Sequence, residues 1–310
     1  MNNFKYTLDN KRYHTLNYFL KNKFGCKVMK ISLNAGFTCP NKDGTKGIGG
    51  CIYCSNSSGD FAGNPKDDLK VQFKLVKEMM QKKWPKAKFI AYFQAGTNTY
   101  ADVKTLKEKY ESVLYEENVV GLAIATRSDA IDDDCLNYLE ELNKKTFLTV
   151  ELGLQTIHEK TSKLINRCNT LENFESMVKK LRKRNINVVV HIINGLPGET
   201  KENMIETVKY LNKLDIQGIK IHMLSICKGT KLAKMYEEKP FHILTEKEYI
   251  DIVVNELEYL RPEIVINRIT GDPKKEDLIE PKWVLKKFVV MDDIDKKMEK
   301  ENIYQGDLLS

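Results

Sequence analysis

Cys39, Cys51 and Cys54 stand together in the run TCPNKDGTKGIGGCIYC. Thiolates are soft ligands suited to iron–sulfur clusters and to zinc. Three of them, with no fourth close by, can ligate three irons of a four-iron cluster and leave the last iron open to bind and activate a small molecule. Gly44, Gly47, Gly49 and Gly50 give the loop between Cys39 and Cys51 a backbone that can take positive φ and bend round a bulky inorganic group. A C-x2-C pair also suits zinc, although a structural zinc ion asks for four ligands. Cys26 and His14 are the candidate fourth donors, and neither belongs to a second half-motif. A disulfide framework fits poorly, because the 7 cysteines are an odd number, the chain opens without a signal peptide, and its length needs no covalent staples. Cys26, Cys135, Cys168 and Cys227 read as isolated buried thiols.

These side chains need a scaffold. At 310 residues the chain can be one large α/β domain with extensions, or two domains. Its 42% hydrophobic content is enough for a core. No stretch approaches the ~18 uninterrupted apolar residues of a membrane span, so no membrane partner is expected. The 50 Lys+Arg against 43 Asp+Glu leave a net charge of +7, compatible with nucleic acid and equally with an ordinary solvated surface. Reduced thiols and a cluster motif point to the cytoplasm.

Apolar, β-branched runs recur at Lys27–Leu33, Lys88–Gln94, Val119–Ala125, Phe147–Gly153, Ile186–Ile193 and Gly218–Leu224. Their near-continuous hydrophobicity is that of parallel strands buried on both faces. Amphipathic stretches lie between them, one with the stripe Leu69, Phe73, Val76 and Met80, another with Met204, Ile205, Val208, Leu211 and Leu214. Thr245 and Glu248 form a capping box ahead of a helix carrying Tyr249, Val253, Leu257 and Leu260. Six strand–helix units imply right-handed crossovers and a partial parallel barrel, whose active site lies at the carboxyl ends of the strands. Polar or glycine-rich residues do follow each strand: the cysteine loop, Gln94–Tyr100, Thr126–Asp129, Glu151 to Gln155, His191 with Asn194–Thr200, and His222 with Lys228–Thr230.

The segments TCPN…GGCIYC, ELGLQT, Ile165-Asn166-Arg167 and HIINGLPGET resemble those of the radical S-adenosylmethionine (SAM) superfamily over roughly residues 25–230. The chain looks most like the bacterial branch related to the catalytic subunit of Elongator, a likeness that extends through IVINRITGDPKKEDLIEPKW to Trp283. The wide gap between Cys39 and Cys51 suits that branch. Cys168-Asn169 stands where relatives often have Gly-His, so no role passes to a histidine there. There is no room for the acetyltransferase domain of the Elongator subunit. The resemblance implies an α/β fold, a partial (β/α)6 TIM-like barrel of radical SAM type. The barrel would span residues 25–230, with an N-terminal extension over 1–24 and a C-terminal α/β extension over 231–310 that binds substrate.

The same resemblance implies cofactors and site residues. Cys39, Cys51 and Cys54 would hold a [4Fe-4S] cluster whose open iron binds the amino and carboxylate groups of SAM. One-electron reduction would then give a 5′-deoxyadenosyl radical, with flavodoxin or ferredoxin as the kind of electron donor required. Tyr53 would lie near adenine, and Gln94, Gly96 and Thr97 where relatives hold the SAM amino group. Glu151 and Gln155 suit ribose and amino-acid hydrogen bonds, Arg167 the carboxylate, and Ile193 with His191 and Leu224 the border of adenine. A strand-end histidine such as His191 or His222 reads equally well as a satisfied core residue.

Kinship to the Elongator subunit implies tRNA as partner, with chemistry at the wobble uridine. The expected conversion is 5-carboxymethylaminomethyluridine to 5-aminomethyluridine, with a tRNA methyltransferase acting downstream. Arg268, Asp272, Lys274 and Trp283 are candidate substrate contacts: basic groups for phosphate and an aromatic for an extruded base. Lys179–Arg184 reads better as a solvated helix end. Two other functions remain open at this point: a radical SAM enzyme acting on a small molecule or a protein, and a zinc-bearing RNA-binding protein without catalysis.

Overall fold

The computed structural model describes residues 4–55 and 62–309, so residues 1–3 and 310 of the two expected extensions lie outside it. All six expected strands form: β1 (Val28–Leu33), β2 (Lys88–Phe93), β3 (Val119–Thr126), β4 (Phe147–Gln155), β5 (Asn187–Asn194) and β6 (Gly218–Met223). They pair in parallel in sequence order. Their continuous hydrophobicity follows from burial on both faces. In β2 every residue from Phe89 to Phe93 is buried, and β4 buries each residue from Leu148 to Leu152.

The helices on the outer face are set by apolar stripes and by caps. α2 (Leu69–Lys83) buries Leu69 and Phe73, and α7 (Lys201–Leu211) buries Met204, Ile205, Val208 and Leu211. Leu214, read as the last member of that stripe, lies past the helix end and is buried from the turn. Oxygen side chains start the crossover helices: Asp68 accepts from the Lys70 amide, Asp102 from Thr105 and Asp132 from Cys135. The capping box of Thr245 and Glu248 is present and opens α9 (Glu246–Tyr259).

The sheet has a seventh strand that the sequence reading did not separate from the C-terminal extension. β8 (Val265–Arg268) pairs in parallel with β6. It is four residues long with only Val265 and Ile266 fully buried, so it carries too little pattern to stand out. The N-terminal segment closes over this edge. Thr15 bridges Ile266, and the Gln305 side chain accepts from the His14 amide while donating to the carbonyls of Arg261 and Ile264. The chain ends are therefore part of the barrel wall. Among the described residues β1 and β8 do not pair, and the sheet remains an open, curved half barrel.

Glu256 on α9 is fully buried, its carboxyl accepting from Asn194 Nδ2 at 2.8 Å. Burial, with Glu199 adding to it, pushes this carboxyl up to about 8. A carboxyl raised in the folded state binds its proton more tightly there than in the unfolded chain, so stability falls as pH rises from the unfolded value to about 8. Glu256→Gln is expected to match the wild type near pH 5 and to exceed it by roughly 2–4 kcal/mol at pH 8, levelling above. Urea denaturation across that range checks this; a constant offset would refute it.

Candidate active site

The cysteine loop follows β1 and is folded onto itself. Lys42 N donates to Cys39 O at 2.8 Å, Gly50 N to Asn41 O at 2.7 Å and Cys54 N to Cys51 O at 3.0 Å. A second segment braces it. After α5 (Glu159–Leu164), Asn166 takes a left-handed φ of 53°, donates through Nδ2 to Gly50 O at 2.8 Å, and accepts at its carbonyl from Asn41 Nδ2 at 2.6 Å. Ile52 N donates to Ile165 O at 3.1 Å. Gly47 is required by close approach, since a Cβ there would sit 2.0 Å from Asn41 Oδ1. The Ile-Asn-Arg motif thus shapes the cysteine loop and delivers Arg167 beside it. Asn166→Ala removes its side-chain bonds and keeps a strained φ, costing about 2–3 kcal/mol locally. The expected result is reconstituted protein retaining less than half the wild-type iron; equal iron content would show that the brace is dispensable.

Cys39, Cys51 and Cys54 line one end of a cavity of about 300 Å³ at the carboxyl ends of the strands. Its walls include most of the residues expected there: Tyr53, Gln94, Gly96 and Thr97, then Glu151, Gln155, Arg167, His191 and Arg268. Asn169 lines it too and donates to Ser128 Oγ at 2.7 Å. Gly96 lies so close to the first loop that a Cβ would meet Phe37 O at 2.2 Å. Gln155 reaches the cavity from a bulge in β4, with φ at 69°.

Other expected residues lie elsewhere. Ile193 and Leu224 pack with Ile52, Ile165 and Leu196 in a small apolar core behind the cysteine loop, so they support the wall without lining the cavity. Trp283 packs on Tyr249 with centroids 5.3 Å apart and donates to Leu244 O at 3.0 Å. Both its polar edge and its apolar body are engaged, which corrects its reading as a free stacking platform. Asp272 lines a second cavity, of about 400 Å³, and pairs with Lys287 at 2.7 Å. Lys274 lines neither cavity. Arg268 forms part of the wall of both. The basic run at the end of α6 (Leu171–Lys183) precedes the amino end of β5 and so lies at the opposite rim. Arg182 there pairs with Asp215 and Arg184 with Glu140.

The barrel interior holds a charge cluster that spans four strands. Glu151, 1% exposed, meets Lys30 of β1 at 2.6 Å, Lys220 of β6 at 2.5 Å and His191 of β5 at 2.9 Å. Lys220 also donates to Tyr92 Oη at 2.8 Å. Burial alone would push the Glu151 carboxyl up, but Lys220, Lys30 and His191 outweigh it and hold it well below the usual range. Burial draws the Lys220 amine down to about 7 against the pull of Glu151. Burial, then Lys220, lowers His191 to about 4, so its ring is neutral. Both oxygens of Glu151 are engaged by the chain itself. Lys30, Tyr92 and Lys220 were missed from sequence, although a lysine inside VMKISL and another inside GIKIHM are charges placed within otherwise apolar strands.

Arg167 is different. It is 3% exposed, its Nη2 is buried without a hydrogen-bond partner, and burial lowers it to about 10. Neighbouring Arg127 is instead saturated: its Nε and Nη2 fork onto Asp129 at 2.9 and 2.8 Å, and Nη1 donates to Arg167 O. A desolvated guanidinium without a partner, beside three thiols, fits a carboxylate ligand. Among the described residues no group of three His, Cys, Asp or Glu is placed to hold a single metal ion. Three thiolates are soft donors and suit an iron–sulfur cluster that keeps one iron open. The donors considered for zinc lie away from the cavity, His14 stacked on Tyr6 at 4.5 Å and Cys26 packed against a separate apolar cluster.

A half barrel with three thiols on the loop after its first strand, lining one cavity with an unpaired arginine, fits a thiolate-held iron–sulfur cluster and a carboxylate-bearing ligand. Residues 39–211 match the Radical SAM superfamily and residues 216–300 the Radical_SAM C-terminal domain, and the chain belongs to that superfamily. Its cofactors are therefore a [4Fe-4S] cluster and SAM. It is 51% identical over 306 residues to the uncharacterized protein YtqA of Bacillus subtilis, covering 98% of this chain and 95% of that one. It is 36% identical to the uncharacterized protein MJ0486 of Methanocaldococcus jannaschii, over 93% of this chain and 89% of that one. The fold matches N-terminally truncated Elp3 of Methanocaldococcus infernus with a TM-score of 0.68 at 18% identity, over 90% of this chain and 64% of that chain. Among the described residues no helix is long and apolar enough to cross a membrane.

Proposed function

We propose that the protein modifies the wobble uridine of tRNA, converting 5-carboxymethylaminomethyluridine to 5-aminomethyluridine. The observation that carries the tRNA reading is relatedness to proteins named for that nucleoside. The tRNA uridine(34) acetyltransferase of Methanocaldococcus jannaschii is 26% identical over 141 residues, which is 44% of this chain and 26% of that one. The Elp3 fold supports the same reading.

When bound, the cluster and SAM supply a 5′-deoxyadenosyl radical. The chain's own residues hold and orient. Cys39, Cys51 and Cys54 ligate the cluster, and Asn41, whose Nδ2 lies 3.5 Å from Cys51 Sγ, donates towards the thiolate. Arg167 receives the SAM carboxylate. Gln94, Gly96 and Thr97 form the wall on the amino-group side, Tyr53 borders adenine, and Gln155 reaches the ribose side. Glu151 acts through its neighbours: it keeps Lys30 and Lys220 in place and holds the His191 ring by a hydrogen bond beside the cofactor site, while burial and Lys220 keep that ring neutral. The interior of the half barrel keeps water from the reacting groups. A flavodoxin or ferredoxin supplies the electron, and a tRNA methyltransferase takes the product further.

Mass spectrometry of bulk tRNA nucleosides tests the reading in a strain lacking the gene and in one carrying Cys51→Ala. Both should accumulate 5-carboxymethylaminomethyluridine and lose the aminomethyl form and nucleosides built on it. Unchanged wobble uridines in both would remove this substrate.

A further inference from the structure

The cavity has a second guanidinium without a partner. Arg268 ends β8, directly opposite Lys220 in the sheet register, and is half-buried. Among the described residues it makes no ion pair or hydrogen bond. It lines the cavity together with Tyr92, Lys220 and His222. His222 adds a further open valence. Its Nε2 is buried and has no hydrogen-bond partner, while its ring packs on His191 with centroids 5.2 Å apart. This layer thus gathers Lys30, Lys220 and Arg268 against one carboxylate, Glu151, and that carboxylate is already taken by the two lysines. Asp129, another nearby acid, is committed to Arg127.

A partly buried cavity with an excess of cationic side chains favours an entering anion. SAM has one carboxylate, and Arg167 beside the cysteine loop is placed to take it. Arg268 stands on the far strand of the half barrel and is left over. We propose that Arg268, with His222 Nε2 and the Lys220 ammonium, forms a carboxylate subsite that fixes the anionic end of the substrate. This rests on the wobble-uridine reading only for the identity of that end, which would be the carboxymethyl group. The charge imbalance itself does not depend on it. A guanidinium reads a planar carboxylate with two parallel N–H groups, which a lysine cannot do. The subsite also explains the two lysines within apolar strands: they set the potential of the layer, and Arg268 supplies the fork.

The test uses cluster-reconstituted protein with SAM bound, so that Arg167 is occupied, and reads melting temperature with glycine, glycinamide or inorganic phosphate. Glycine should raise the melting temperature of the wild type and glycinamide should not. Arg268→Gln should abolish the glycine shift, and Arg268→Lys should retain part of it. A wild type indifferent to glycine, a glycine shift that survives Arg268→Gln, or phosphate outperforming glycine would each overturn the carboxylate subsite. A parallel arm compares anticodon stem-loops carrying carboxymethylaminomethyluridine or aminomethyluridine. The wild type should bind the former about tenfold or more tightly, and Arg268→Gln should erase the difference. If glycine behaves as stated and the stem-loops bind alike, the nucleoside reading falls and the subsite stands. If the nucleoside analysis succeeds and the glycine shift ignores Arg268, the subsite falls alone.

Discussion

Arg167→Met is expected to leave the fold at least as stable as the wild type while weakening SAM binding about ten- to hundredfold. The two effects separate because the arginine is desolvated without a counter-charge. Its Nη2 has no partner, and the nearest carboxylate, that of Asp129, is bound to Arg127. Removing it relieves a buried charge, and methionine fills much of the same volume. The lost binding follows from a charge-assisted pair that the cofactor carboxylate can no longer make. Urea denaturation and SAM titration of the reconstituted protein read the two quantities independently. A variant that loses several kcal/mol of stability, or binds SAM normally, would show that Arg167 is a structural residue.

Glu151→Gln should do the opposite and strike the fold. Its carboxylate is the common partner of Lys30 and Lys220, and breaking a buried pair from one side costs about 3–5 kcal/mol. The deficit should depend on pH with a definite sign. A buried amine drawn down to about 7 sheds its proton on folding between that value and its ordinary one, so stability in that window rises with pH. Without Glu151 the amine falls further, and folding expels the proton at lower pH as well. The variant is therefore penalised most below pH 7 and approaches the wild type towards pH 9. Denaturation at pH 6 and pH 9 checks this; an equal loss at both would mean that lost packing, not charge, is responsible.

The polar interior also explains why some residues could be read in advance and others could not. Cys39, Cys51 and Cys54 are near neighbours in sequence, and their role follows from spacing and ligand chemistry. The β2 and β4 runs betray themselves because a strand buried on both faces must be apolar along its length. Trp283 misled because composition places an aromatic among lysines without saying whether its face is covered. Tyr249, more than thirty positions away, covers it.

From the chain alone came the local elements, the cysteine loop and the carboxyl-end location of the site, since each depends on residues within one strand–loop–helix unit. Only the folded molecule decided which charges are satisfied. Arg127 finds Asp129 two positions on, whereas Glu151 finds Lys30 and Lys220 on other strands, and among the described residues Arg167 and Arg268 form no ion pair with an acid. Whether a charge is partnered is set by sheet register and curvature, which bring distant positions to one point in a medium of low dielectric. No pattern along the chain encodes that convergence.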